Sequence, residues 1–284
     1  MTDQSTTRAF GPTRHPVAAI GQGSWKIEES AADSAVECLR RGLDLGLTHI
    51  DTAEMYGSGA AESIIAKAIS GRRDEVFLVS KVLPTNASRR GTLAACEKSL
   101  ARLRTDRLDC YLLHWRGAYR LEETIAAFDT LVRAGKILSW GVSNFDVGDL
   151  EEVAAIAGAG HPACNQVLYH LQERAIEHAV LPWCEQHGVA VTAYSPFGHD
   201  DFPGPHTARG RLLTQIAQAH DATPRQVALA FLTRRPAVFA IPKASSAEHV
   251  EENSAACGVP LSQQEIERID AAFPRGPRRG LPTL

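Results

Sequence analysis

Short apolar stretches alternate with helical patterns along nearly the whole 284-residue chain. Each stretch is rich in Val, Ile, Leu or Ala, and most of them end at a polar residue. Parallel strands need a crossover helix between them, so this alternation predicts a parallel sheet with helices packed on it. The sequence predicts eight strands, at residues 17–20, 48–50, 76–80, 108–113, 137–142, 163–167, 190–194 and 238–242.

Helical periodicity fills the segments between these strands. In residues 32–45, Ala35, Leu39 and Leu43 recur at the spacing of one helix face. Pro224 is predicted to begin a later helix, because proline is favoured at the first helical position. Similar patterns predict helices over residues 62–69, 92–103, 122–134 and 149–156.

The arrangement predicts an α/β fold, a (β/α)8 TIM barrel that forms a single domain over residues 1–284. Barrels of this kind occupy about 250 residues. A doubly wound open sheet is the alternative, and it should carry G-x-G-x-x-G after its first strand. Here the segment 21–26 reads GQGSWK, so the third glycine is missing and the barrel is favoured.

Three stretches carry neither a strand nor a helix pattern. The N-terminal stretch up to Pro16 suits a plug or a hairpin, and the sequence leaves both open. Residues 198–210 are rich in Gly, Pro, Asp and His, and they are predicted as a loop that covers a site. Residues 274–284 form a Pro/Gly/Arg tail.

Composition removes several classes of function. The net charge of −3 gives no electrostatic footprint for nucleic acid. The N-terminus lacks a secretory h-region and no apolar run reaches about 18 residues, so we expect a cytoplasmic protein without a membrane partner. Six scattered cysteines suit reduced thiols, and the histidines lack metal-ligand spacing, so no metal is expected.

Polar side chains at the strand ends are the main indication of function. In a barrel the carboxyl ends of the strands meet at one rim, where active sites lie. A repeated polar end therefore predicts a site rather than accidental surface. The residues in question are Asp51, Lys81, His114, Ser143, Asn144, Gln166, Ser195 and Lys243.

Four of the residues near these ends suit the reduction of a carbonyl group. Tyr56 follows Asp51 by five positions, and Lys81 and His114 end the next two strands. A tyrosine has a pKa of about 10, and a nearby ammonium is expected to lower it. The set supplies a proton donor, a tuning cation, an anion that orients the cation and a clamp for the carbonyl oxygen.

These residues stand in motifs of a known family. The chain resembles the aldo-keto reductases along nearly its whole length, and most of all the bacterial branch that reduces methylglyoxal and small aldehydes. The matching segments are 51–57 (DTAEMYG), 79–81 (VSK), 112–115 (LLHW), 141–145 (GVSNF), 165–167 (NQV), 193–198 (AYSPFG) and 241–253 (IPKASSAEHVEEN).

The resemblance implies NADPH-dependent reduction of aldehydes or ketones, with Tyr56 as the proton donor. Lys81 would lower the pKa of Tyr56, Asp51 would pair with Lys81, and His114 would orient the substrate carbonyl. Trp25, Trp115 and Phe145 are expected in the substrate pocket. The family resemblance also favours a monomer.

The resemblance also implies a cofactor cradle on the later strands. The nicotinamide carboxamide would be bound by Ser143, Asn144 and Gln166, and Tyr194 would stack on the nicotinamide ring.

The rest of the cofactor would be bound by later residues. Ser195 and Pro196 would lie at the pyrophosphate, and Glu252 and Asn253 at the adenine. The 2′-phosphate would be bound by Lys243 with Ser245 or Ser246, near the position of His249.

One position departs from the pattern of NADPH-selective members, which place an arginine where this chain has His249. Arginine grips phosphate with a permanently charged fork, whereas histidine is only partly charged near pH 7. Ala244 also replaces a frequent serine. NADPH remains the preferred cofactor because Lys243 is present, with some use of NADH.

Two other functions are compatible with a barrel. A nucleotide-sensing binding module would bind NADPH tightly with negligible turnover, but no extra domain or tail supports it. A metal-dependent hydrolase would use Asp51 and His114, but it usually needs an H-x-H type cluster that is missing from the rim.

Overall fold

The computed structural model describes residues 7–158 and 161–283. Its main feature is an eight-stranded parallel sheet in which β3 to β10 lie in chain order. The strands are β1 (Thr7–Ala9), β2 (Pro16–Ala18), β3 (Gln22–Gly23), β4 (His49–Asp51), β5 (Phe77–Val82), β6 (Leu108–Leu113), β7 (Ile137–Ser143), β8 (Cys164–Leu168), β9 (Ala190–Tyr194) and β10 (Val238–Ala240).

Helices follow most of these strands and pack around the sheet. None of those within the described ranges is long and apolar enough to cross a membrane. The α-helices are α1 (Ala32–Asp44), α2 (Ala60–Ala68), α3 (Arg89–Leu103), α4 (Leu121–Arg133), α5 (Val147–Ala157), α6 (Val180–Gln186), α7 (Ala208–Ala219), α8 (Pro224–Leu232), α9 (Ala247–Ala255) and α10 (Gln263–Ala272).

The sheet closes on itself where its first and last strands meet. Ile20 and Ala240 form a parallel bridge, and the Gly21 amide donates to the Ala240 carbonyl over 2.8 Å. A Cβ atom on Gly23 would lie 2.5 Å from the carbonyl oxygen of Ile241, so this approach requires glycine. The predicted (β/α)8 barrel is confirmed.

Side chains alternate between the barrel interior and the surrounding helices. On β5, Phe77 and Val79 belong to the interior apolar cluster, whereas Leu78 and Val82 pack in the outer cluster between sheet and helices. Strand side chains have a period of two, so Lys81 points to the same side as Val79. This alternation turns the polar strand ends inward, toward the axis of the barrel.

An N-terminal hairpin covers the opposite end of the barrel. β1 and β2 pair antiparallel, and Phe10 between them is fully buried, with its ring 4.8 Å from Phe77 and 5.0 Å from Phe239. The prediction of residues 17–20 as the first barrel strand is wrong for Val17 and Ala18, which belong to the hairpin, whereas Ile20 forms the parallel bridge to Ala240. Val17 packs in the interior cluster, and β3 takes the place of the first strand in the sheet.

Several helices begin directly after a side chain that caps them. α8 begins at Pro224, as predicted, after a capping box between Thr223 and Gln226. The loop predicted over 198–210 ends earlier, since Thr207 accepts from the Gly210 amide over 2.9 Å and starts α7. Residues 1–6 of the predicted N-terminal stretch and residue 284 of the predicted tail lie outside the described residues.

Replacing Phe10 by alanine should destabilise the whole barrel. The change leaves a cavity among packed aromatic rings, and such changes cost about 3 to 5 kcal/mol. Urea unfolding followed by circular dichroism measures the free energy of unfolding. The control is Leu138→Ala, because Leu138 is 56% exposed and its loss should change that free energy by less than about 0.5 kcal/mol. Equal effects in both variants would contradict the assignment of Phe10 to the barrel core.

Candidate active site

Strand register brings the predicted catalytic residues together at the carboxyl ends of β4, β5 and β6. Asp51 lies opposite Val79, and Lys81 follows two positions later on the same side. The amide of His114 donates to the carbonyl oxygen of Val82 over 3.0 Å, which holds His114 next to the end of β5. Three neighbouring strands therefore deliver their side chains to one area of the rim.

A buried ion pair lies at the centre of this area. The Nζ atom of Lys81 lies 2.6 Å from Oδ1 of Asp51, 2.8 Å from the carbonyl oxygen of Thr52 and 3.1 Å from Oη of Tyr56. Lys81 and Asp51 are both buried, with at most 1% of either residue exposed. The ammonium thus joins the acid, the backbone and the phenol in one network.

The loop that carries Tyr56 is fixed to its neighbour by Glu54. The Glu54 carboxylate accepts from the amide of Leu83 over 2.7 Å and from the side chain of Asn86 over 2.9 Å. Directly after Tyr56, Gly57 has a φ of 53° and turns the chain toward α2. A left-handed residue at this turn favours glycine. These contacts hold the phenol above Lys81.

The protonation of the network is set by burial and by charge together. Burial alone lowers the pKa of Lys81, but the Asp51 carboxylate and Tyr56 outweigh it, so the pKa of Lys81 is raised and the ammonium stays charged. Burial raises the pKa of Tyr56 by more than Lys81 lowers it. Lys81 therefore acts on the Tyr56 pKa in the predicted direction, but burial outweighs it and the net shift of that pKa is upward.

His114 is neutral beside this network. Burial, with a smaller contribution from the positive charge of Lys81, lowers the pKa of His114 to about 2. The ring centres of His114 and Tyr56 are 5.9 Å apart, and Nδ1 of His114 is buried without a hydrogen-bond partner. A neutral imidazole in this position can offer a hydrogen bond without adding charge.

A second group of polar residues continues around the rim on β7, β8 and β9. The Asn144 side chain donates to the carbonyl oxygen of His114 over 3.2 Å and accepts from Oη of Tyr194 over 2.9 Å. Gln166 donates to Oδ2 of Asp51 over 2.7 Å. The amides predicted to bind the cofactor are therefore bonded to the catalytic group, a link that strand-end spacing does not predict.

Two residues directly after strands have left-handed backbone. Asn144 has a φ of 61° and Ser195 a φ of 48°. Asparagine tolerates this conformation, whereas it costs serine about 1 to 2 kcal/mol. Such strain tends to be kept where a site requires it. The sequence contains no glycine at either position that would have indicated the turn.

A cavity of about 830 Å³ opens above these residues. Lys81 lies beneath it, in contact with Tyr56 and Asp51. The predicted residues in its wall are Asp51, Tyr56, His114, Ser143, Asn144, Gln166, Tyr194, Ser195, Pro196, Lys243, Trp25 and Trp115.

The wall also contains residues that the sequence analysis missed. The loop after β9 crosses toward β3, so that the rings of His199 and Trp25 lie 5.5 Å apart. Contacts of this kind join residues far apart in sequence, and only the Gly/Pro content of residues 198–210 hinted at a cover. The other residues missed include Ser24, Lys26, Met55, Phe197, Phe202 and Arg225.

Phe145 does not reach the cavity, contrary to the predicted substrate pocket. It is fully buried in the outer cluster, and Asn165 donates to its carbonyl oxygen over 2.8 Å. The chain turns at Asn144, so the side chain that follows packs behind the rim. Because Phe145 directly follows Asn144 in the sequence, it had been predicted to face the cavity.

The segment predicted for the adenosine lies beyond the cavity wall, along the start of α9. Ser246 caps this helix by accepting from the amide of His249 over 3.3 Å, and Ser245 precedes the cap. The carboxylate of Glu252 accepts from Thr223, and Asn253 is buried. Lys243 is thus the member of the predicted phosphate group that lines the cavity itself.

Acidic, histidine and cysteine side chains do not gather into a metal-binding group of three or more anywhere in residues 7–158 or 161–283. His49, on the strand that bears Asp51, is instead enclosed by aromatic rings. Its ring centre lies 5.6 Å from Phe77 and 5.8 Å from Phe10.

Comparison with known proteins identifies the class of this barrel. The sequence profile of the Aldo/keto reductase family matches residues 19–273. The chain therefore belongs to the aldo/keto reductase family, which confirms the resemblance.

Particular relatives agree over most of the chain. Methylglyoxal reductase YeaE of Escherichia coli (strain K12) is 46% identical over 258 residues, covering 90% of this chain and 91% of that protein. Glyoxal reductase of Bacillus subtilis (strain 168) is 34% identical and covers 89% of this chain and 87% of its own length. The crystal structure of an aldo/keto reductase from Klebsiella pneumoniae with NADP and acetate has a TM-score of 0.93 and 44% identity, covering 99% of this chain and all of that one.

The buried histidines should make stability depend on pH. Burial, then the charge of Lys81, lowers the pKa of His49 to about 3 from an ordinary 6.5. The unfolded chain binds a proton at each such histidine below about pH 6.5 while the folded chain does not, so stability falls as the pH is lowered. From pH 7 to 5, His49 and His114 should each lower the free energy of unfolding by about 2 kcal/mol.

Urea unfolding of the wild type and of His49→Leu at pH 7, 6 and 5 measures this dependence. The variant should lose less stability than the wild type over that range, because it lacks one of the buried histidines that stay neutral in the folded chain. An identical pH dependence in both proteins would show that His49 is not kept neutral by folding.

Proposed function

We propose that the protein is a monomeric, cytoplasmic reductase that uses NADPH to reduce the carbonyl group of an aldehyde or ketone, within one barrel domain. The observation that carries this proposal is the 3.1 Å hydrogen bond from buried Lys81 to the Tyr56 phenol beneath a cavity that His114 also lines. The names of the relatives, a methylglyoxal reductase and a glyoxal reductase, support the substrate class.

The cavity residues fit a nicotinamide dinucleotide. Its volume of about 830 Å³ lies within the ordinary range for cofactor sites. Ser143, Asn144 and Gln166 present the hydroxyl and amide groups that a carboxamide requires, and Tyr194 beside them offers an aromatic ring. Lys243 supplies a cation for phosphate. The Klebsiella pneumoniae relative was crystallised with NADP.

Ser195 and Pro196 would meet the pyrophosphate. Beyond the wall, Ser245 or Ser246, together with His249, would complete the 2′-phosphate site. Glu252 and Asn253 would face the adenine. Since histidine is only partly charged near pH 7, we propose NADPH as the preferred cofactor with some use of NADH.

When bound, the reduced nicotinamide supplies a hydride to the carbonyl carbon. Tyr56 gives its phenolic proton to the carbonyl oxygen, which completes the alcohol. The ammonium of Lys81 stabilises the phenolate that remains, and Asp51 keeps that ammonium charged and aimed. His114 donates a hydrogen bond to the carbonyl oxygen before the proton arrives.

The substrate enters between partly exposed apolar side chains. Trp25, Met55 and Trp115 line the cavity and are 37% to 39% exposed. A cavity entrance of this kind, open and lined by aromatic side chains, suits small carbonyl compounds. Methylglyoxal is the first substrate to test.

Replacing Tyr56 by phenylalanine should abolish most turnover. Loss of a positioned proton donor costs about 100- to 10,000-fold in rate. The measurement is steady-state oxidation of NADPH with methylglyoxal, together with the Kd for NADPH from fluorescence quenching, which should change little. Tyr119→Phe is the matched control, because Tyr119 is exposed and is not part of the cavity wall. A kcat for Tyr56→Phe near that of the wild type would refute the role given to Tyr56.

Replacing Lys243 by methionine should weaken NADPH more than NADH. Hydrogen bonds to charged groups contribute enough to make the loss about 10- to 100-fold. Titration of each cofactor by isothermal calorimetry gives the two Kd values. If both cofactors weakened equally, Lys243 would not bind the 2′-phosphate.

A further inference from the structure

Arg225 stands at the cavity wall without any role in the proposed site. It is the second residue of α8, and its guanidinium carbon lies 4.7 Å from the ring centre of Phe197 and 5.1 Å from that of Phe202. Both phenylalanines belong to the loop after β9, and all three residues line the cavity. The arginine side chain is thus held in place by two aromatic rings.

These contacts leave the hydrogen-bond donors of the guanidinium unused. Arg225 has no hydrogen bond and no carboxylate within 4.0 Å among residues 7–158 and 161–283. Nearby arginines differ, since Arg209 donates to Ala272 and Arg235 to Glu185. A cation over an aromatic ring is attracted through the ring face, so the five N–H groups of the planar fork stay available. Such a fork matches the oxygens of a phosphate group.

The position of Arg225 indicates which part of a bound dinucleotide it would contact. The start of α8 is bonded to α9, because Thr223 donates to the Glu252 carboxylate and Gln226 donates to the Glu252 carbonyl over 2.9 Å. Glu252 is the residue proposed to face the adenine. Arg225 therefore lies between the adenosine end and the loop that begins at Ser195.

We propose that Arg225 binds a phosphate group in the adenosine diphosphate half of NADPH. The assignment rests on the proposed function, because it takes the same dinucleotide as ligand. It supplies a permanent charge near the segment in which His249 stands in place of an arginine. The two phenylalanine rings hold the fork in advance, so less side-chain freedom is lost when phosphate binds.

The test is calorimetric titration of wild type and Arg225→Gln with NADPH, 2′,5′-ADP, ADP and adenosine. We expect NADPH to bind about 10- to 100-fold more weakly to the variant. A loss confined to NADPH and 2′,5′-ADP would identify the 2′-phosphate as the group bound. A comparable loss with ADP would identify the phosphates attached to the 5′ position.

Adenosine distinguishes phosphate binding from a general loosening of the loop. Its affinity should be unchanged in Arg225→Gln, and a loss for adenosine equal to that for NADPH would overturn the proposal. Unchanged affinity for all four ligands would also overturn it. The matched control is Arg268→Gln, since Arg268 is exposed, bonds to Gln215 and is not part of the cavity wall. Failure of the wild type to bind NADPH would instead refute the proposed function itself.

Discussion

The ion pair of Asp51 and Lys81 is the interaction on which the rest of the rim depends. Taking two charges out of water costs several kcal/mol for each ion, and the pair persists only if its remaining hydrogen bonds are made. Here the three ammonium protons have three acceptors, in Asp51, Thr52 and Tyr56, and the second Asp51 oxygen accepts from Gln166. Satisfying the buried charge therefore fixes the phenol on one side and the amide on the other.

This dependence explains why the two halves of the site form one unit. Gln166 belongs to the group proposed for the nicotinamide, yet its amide holds the carboxylate of the proposed proton-transfer group. Asn144 repeats the pattern, since it joins the His114 backbone to Tyr194. The residues proposed for the cofactor and those proposed for proton transfer are thus joined by hydrogen bonds into one network.

Much of the fold and the rim could be predicted from the sequence, because both follow from local periodicity. Alternation of strands and helices gives the barrel, and a polar residue at a strand end points to the rim for Asp51, Lys81 and Gln166. Features that depend on partners far away in sequence could not be predicted. The sequence predicts a strand at Val17 in either role, and its antiparallel pairing with Arg8 places it in the hairpin. Phe145 points away from the cavity because Asn144 has a left-handed backbone, and no local sequence pattern predicts that conformation. The net direction of the shift in the Tyr56 pKa depends on how deeply the phenol is buried, and only the folded structure determines that burial.

The ring contact between Phe10 and Phe239 determines when the barrel interior can be filled as the chain is synthesised. These residues are far apart in the sequence, and their ring centres lie 5.0 Å apart inside the barrel. Phe239 lies on β10, so this part of the interior cluster cannot be filled until β10 has been synthesised. Contacts of such long sequence separation form late and slowly, and partly built barrels expose strand edges that can aggregate. The fold thus places a contact of long sequence separation at the end of the barrel away from the chemistry, and the interior cluster is complete only when β10 joins it.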